Sequence, residues 1–144
     1  MAPQLDMGGM ERLLVEFGRP ADHSRFSLHF VSLTDRGELA DDIELCGWPV
    51  IHLGMRPGLR PWGIMQLFKF FRDSKIDVVH THNNKALVYA APTARLAGIR
   101  RIIHTRHGQN FSCSTREAFL MRSMSHLTSR LPPRATPRYF CFRD

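Results

Sequence analysis

Histidine, threonine, asparagine and arginine crowd into two short runs of this 144-residue chain, His80-Thr81-His82-Asn83 and His104-Thr105-Arg106-His107-Gly108. A glycine pair opens a third motif, Gly8-Gly9-Met10-Glu11. Histidine donates to or accepts from a hydroxyl near neutral pH, and arginine holds a phosphate in a planar fork. Glycines between a strand and a helix leave backbone amides free at the helix start, where the dipole attracts phosphate, although a tight turn explains such a pair equally well. The chemistry these residues suit is recognition of hydroxyl and phosphate groups, with Gly108 letting a ligand approach the backbone.

The spacing sets limits. His80 and His82 lie two apart, so they share a side if a strand runs through them, and Thr81 takes the other. With His104 and His107 on a neighbouring strand end, four imidazoles can gather, and zinc accepts such ligands. No carboxylate or thiolate completes a convincing set, so no metal ligand is assigned. Ordinary hydrogen-bonding histidines, and an Arg106 that pairs with a surface carboxylate, remain the plain alternatives. The glycine pair lacks the spaced third glycine of a dinucleotide fingerprint and the Gly-Lys-Ser/Thr ending of a P-loop, which disfavours a dehydrogenase or an NTPase.

The elements that position these motifs follow from periodicity. Met1 to Leu5 reads as the last piece of a strand running into the glycines. A helix is expected from Gly9 to about Arg19, with Met10, Leu13, Leu14 and Phe17 as its apolar side. Arg25 to Leu33 alternates as a strand, Gly37 to Cys46 reads as a short acidic helix that Gly47 ends in a left-handed conformation, and Pro49 to Leu53 is the next strand. A turn-rich loop from Met55 to Pro61 precedes a strongly apolar helix, with Ile64, Leu67, Phe68, Phe70 and Phe71, to about Ser74. Ile76 to His80 and Arg101 to Thr105 read as buried parallel strands around a helix from Lys85 to Leu96 that Gly98 stops. The alternation predicts a single α/β domain: a Rossmann-like open parallel sheet with helices on both faces, the three motifs opening on one edge of it. Ser114 to His126 reads as a further helix. Residues 129–144, with three prolines, four arginines and no periodicity, read as an irregular tail.

Composition narrows the partners. A net charge of +7 favours anionic ones, but the basic residues are scattered and no nucleic-acid-binding signature is present, so nucleic acid is disfavoured. Cys46, Cys113 and Cys141 lack the paired spacing of a disulfide framework or a zinc site and read as free thiols in a reducing compartment. No apolar run approaches the roughly 20 residues of a membrane span, and the start lacks a secretory pattern, so a cytoplasmic location is expected.

Three segments together resemble the N-terminal, acceptor-side domain of glycosyltransferase family 4, retaining enzymes of the two-domain B architecture. They are P-Q-L-D-M-G-G-M-E-R-L-L, V-V-H-T-H-N-N-K-A-L-V-Y-A-A and A-R-L-A-G-I-R-R-I-I-H-T-R-H-G, and their order extends the match over roughly residues 3 to 126. The resemblance implies transfer of a sugar from a nucleotide-sugar donor to an acceptor hydroxyl, in polysaccharide or glycolipid synthesis, without a metal ion or other cofactor. Gly8 and Gly9 would sit by the donor diphosphate, and His107 matches the histidine that reaches the transferred sugar or acceptor. His80, His82 and Asn83 would line the acceptor side, with Arg106 and Gly108 beside them. In many relatives the acceptor is lipid-linked, so peripheral contact with an anionic membrane at its inner face is expected.

Two departures accompany the resemblance. The first strand is shortened, which predicts marginal stability or association. Nothing after Thr128 resembles the second, donor-binding domain, so the expectation is a domain at residues 1–128 that is inactive alone. A nucleotide-sugar epimerase fragment, a non-catalytic binding module and a gene fragment without selected function stay open beside the transferase.

Overall fold

A computed structural model describes residues 1–6, 8–55 and 61–105. The expected helix at Ser114–His126, the tail at 129–144, and Arg106, His107 and Gly108 lie outside the described residues. The elements run α1 (Gly9–Gly18), β1 (Phe30–Ser32), α2 (Ala40–Leu45), β2 (Val50–His52), α3 (Pro61–Asp73), β3 (Val78–His82), α4 (Asn84–Leu96) and β4 (Arg101–Thr105). Strands alternate with helices and pair in parallel, as the α/β reading requires. The chain divides into two compact units, Met1–Leu67 and Phe68–Asp144.

In the first unit β1 pairs in parallel with β2, Val31 opposite Ile51. Its backbone groups point alternately to two neighbours. The Phe30 amide donates to Pro49 and the Ser32 carbonyl accepts from Leu53, whereas Val31 and Leu33 bond to Ala2 on the other side. The first residues therefore form a remnant of a strand, a parallel bridge from Ala2 to Ser32, in place of a full element. The Pro3 carbonyl accepts from both the backbone and the hydroxyl of Thr34. Proline's missing amide costs nothing at such an end.

The core of this unit gathers Ala2, Leu5, Leu14, Val15, Phe30, Leu39, Ala40, Ile43 and Trp48. Here α1 departs from expectation: Leu14, Val15 and Gly18 are buried, while Leu13 and Phe17 are exposed. The cause is the bare end of the helix. An added Cβ on Gly18 would lie 3.2 Å from the Trp48 ring and 3.3 Å from Phe30, so the helix turns its glycine side inward. The Trp48 indole N–H donates to the Gly18 carbonyl at 2.7 Å, and His23 stacks on the same indole at 3.6 Å. Arg36 clamps the front of α2 through Asp41 and a forked contact to Glu44.

Both predicted helix stops hold, Gly47 in the left-handed conformation expected of it (φ 84°) and Gly98 left-handed as well (φ 88°). The helix α3 begins at Pro61, three residues before the first apolar position read from the sequence, because proline suits the first helical turn. Within it Gly63 leaves the space that the Met55 side chain fills.

In the second unit β3 and β4 pair in parallel over five residues each, and α4 packs against both. The packing face of α4 is built of small residues, Ala86, Ala90, Ala91 and Ala94, each 0% exposed, with Leu87 and Thr93 beside them. Pro92 removes one amide inside this helix, and the Thr93 hydroxyl donates back to the Tyr89 carbonyl at 2.7 Å.

Gly37 and Gly98 separate two costs of a side chain. Both have positive φ, but a Cβ at Gly37 would strike the backbone of Leu5, whereas one at Gly98 meets nothing. Gly98→Ala is expected to lose about 1 kcal/mol in urea unfolding and Gly37→Ala at least about 2 kcal/mol, because only the latter adds a backbone collision to the conformational strain.

Candidate functional site

The polar motif at the end of β3 is strand, not the loop after a strand. The sequence ended this strand at His80, but pairing with β4 carries it through His82, in the register His80 to Ile103, Thr81 to His104 and His82 to Thr105. The two-residue period then sorts the side chains. His80 and His82 share one side, their rings 4.2 Å apart and tilted by 38°. On that side the His80 Nε2 lies 2.8 Å from the Thr105 hydroxyl oxygen. Thr81 takes the opposite side, buried, its hydroxyl 3.0 Å from His104 Nδ1 and 3.2 Å from the Ile103 carbonyl.

This arrangement separates His104 from the His80–His82 pair by the thickness of the strands. A zinc site built from those three does not form, and among the described residues no group of three metal-ligating side chains converges. The pair with Thr105 instead presents ring nitrogens and a hydroxyl on one side, which suits hydrogen bonding to the hydroxyls of a polar ligand.

Asn83 joins β3 to α4 in a costly conformation. Its φ of 73° and ψ of 150° fall in a region that glycine alone occupies readily. The backbone holds it there from both ends: its amide donates to the Thr105 carbonyl at 3.1 Å, and its side-chain oxygen accepts from the Asn84 amide at 2.7 Å. Next to it, the Oδ1 of Asn84 is buried without a hydrogen-bond partner among the described residues. Strain and an unsatisfied acceptor side by side are costs that a binding site tolerates more readily than a purely structural turn.

Gly8 and Gly9 belong to the first unit. Gly8 is the extended residue before α1, and Gly9 is its first helical residue. Neither has a positive φ, and an added Cβ on Gly9 meets nothing within 4 Å. At Gly8 it meets only the flexible carboxylate of Glu11. The steric demand of a tight turn therefore does not explain the pair; open access to the helix start remains as its account.

Residues 7–140 match the family described as Glycosyltransferase Family 4. The chain belongs to glycosyltransferase family 4. A 55-residue stretch of this family 4 chain is 36% identical to the UDP-Gal:alpha-D-GlcNAc-diphosphoundecaprenol alpha-1,3-galactosyltransferase of Escherichia coli. That stretch covers 38% of this chain and 14% of the relative.

Thr105 and the Asn83 conformation were missed in the sequence as features of the candidate site. For Thr105 a signal existed, since in a parallel pair of known register it stands opposite His82. For Asn83 none did.

Substitutions at Asn83 test the strain. Asn83→Gly relieves the positive φ and loses a side-chain cap worth only a few tenths of a kcal/mol, so it is expected to be at least as stable as the parent. Asn83→Ala is expected to fall about 1–2 kcal/mol below the parent, and Asn83→Val further, in thermal unfolding.

Proposed function

We propose that this chain is the acceptor-side domain of a retaining glycosyltransferase that moves a sugar from a nucleotide-sugar donor to a hydroxyl of a lipid-linked acceptor. What carries the proposal is the His80–His82–Thr105 side beside the strained Asn83, in a chain whose family match spans residues 7–140. The relative from E. coli, named for a UDP-galactose donor and a GlcNAc-diphosphoundecaprenol acceptor, supplies the substrate classes. No helix among the described residues is long and apolar enough to cross a membrane.

In the reaction the bond from the sugar's anomeric carbon to the diphosphate breaks, and a bond to the acceptor oxygen forms. The electron pair leaves with the nucleotide diphosphate, whose oxygen takes up the proton that the acceptor hydroxyl gives up. Amides at Gly8 and Gly9 would stabilise the charge growing on the diphosphate. His80, His82 and Asn83 would orient the acceptor by hydrogen bonds. His107, with Arg106 and Gly108, is assigned to the transferred sugar by the resemblance of its motif. Donor binding is assigned to a second domain, because half a cleft neither excludes water nor aligns two substrates. Residues 1–128 form the domain in this proposal, and 129–144 lie outside it.

A short-chain GlcNAc-diphospholipid titrated into the chain is expected to bind saturably and to shift the imidazole resonances of His80 and His82. His82→Ala is expected to weaken that binding about tenfold, the equivalent of one hydrogen bond. Labelled UDP-galactose is expected to give no transfer with the chain alone. Transfer by the chain alone would remove the need for a second domain; no saturable response of the histidines would remove the acceptor assignment.

A further inference from the structure

Thr81 is the one polar side chain that β3 buries completely, at 0% exposure. A buried hydroxyl is costly unless it is bonded, and a valine of nearly the same shape would sit there without that cost. The contacts of the hydroxyl show what it does. Its oxygen lies 3.2 Å from the Ile103 carbonyl and 3.0 Å from His104 Nδ1. A hydroxyl has one proton, and a carbonyl only accepts. The proton therefore goes to Ile103, and the Thr81 oxygen is left to accept from His104. In the reverse choice Thr81 would donate to the ring, and two oxygens would face each other through lone pairs at 3.2 Å. In the neutral imidazole Nδ1 then carries the hydrogen and Nε2 the lone pair. His104 is half-buried near the end of β4, on the side of the strands where Val79 and Ile102 are buried beneath α4. The carboxyl ends of parallel strands are where open α/β sheets bind ligands.

We infer that Thr81 is a positioning residue, which holds His104 as the Nδ1–H tautomer so that Nε2 accepts a hydrogen bond from a sugar hydroxyl. A lone pair at Nε2 suits a hydroxyl donor and repels the oxygens of a phosphate, so the group recognised is carbohydrate and not diphosphate. His104 works from the opposite side of the strands to the His80–His82 pair, and so meets a different part of the substrates. The tautomer stands on the geometry alone. Only the sugar rests on the proposed function.

Proton–nitrogen correlation spectra of the ligand-free chain at alkaline pH, where imidazoles are neutral, read the tautomer directly, with His104 assigned through His104→Gln. The expected signature is a protonated Nδ1 and a bare Nε2. Thr81→Ser is expected to keep it and Thr81→Val to lose it, the proton passing to Nε2. GlcNAc-diphospholipid and UDP-galactose are then titrated separately, and the one whose sugar is held is expected to shift the Nε2 resonance of His104. Thr81→Val is expected to weaken that binding about tenfold and Thr81→Ser by less than about twofold, both with unchanged circular dichroism. A bare Nδ1 in the parent would overturn the inference, as would an Nε2 that responds in neither titration or a Thr81→Val variant that binds like the parent. His80 and His82 report separately on the acceptor assignment. Their response without one at His104 leaves that assignment in place and removes this one, whereas the Nδ1–H signature with a response to UDP-galactose alone does the reverse.

Discussion

The parallel register of β3 and β4 is the constraint on which the candidate site depends. Five consecutive pairings fix His82 opposite Thr105 and Thr81 opposite His104, and the pleat sends these two pairs to opposite sides. A slip of one residue would exchange the sides and bury the histidines where Thr81 now sits. The burial of Ile102 and Val79 against the alanine face of α4 holds the register, since either slip would turn those side chains outward. Polar chemistry at the strand ends is thus positioned by apolar packing one residue earlier.

Much of this was legible in the sequence. β4 has the bounds that its β-branched run suggested, and the glycines at 47 and 98 stop their helices as expected. The same-side placement of His80 and His82 followed from a period of two. β3 was misplaced by two residues, because His-Thr-His looks like loop to any rule that weighs polarity. The strand persists since its backbone groups are still answered by β4, and a backbone hydrogen bond is indifferent to the polarity of the side chain beside it.

What could not be read were effects that depend on a partner distant in the chain. The rotation of α1 is set by Trp48 and Phe30 closing on Gly18, and no count of apolar residues within the helix reveals it. Likewise the φ of Asn83 is imposed by the Thr105 carbonyl and the start of α4. The first residues show the reverse. Their reading as the end of a strand holds, but only as a single bridge, since β1 offers them two hydrogen-bonding groups and little more.

The alanine face of α4 has a consequence for how such a domain can diversify. A helix that touches two strands through methyl groups stands close to them, and any larger side chain there acts as a wedge beneath the histidines. Enlarging a side chain on this face of the helix is therefore costly. Residues at the strand ends are open to exchange, while the support underneath stays fixed in volume. The scaffold is conservative so that its rim can be experimental.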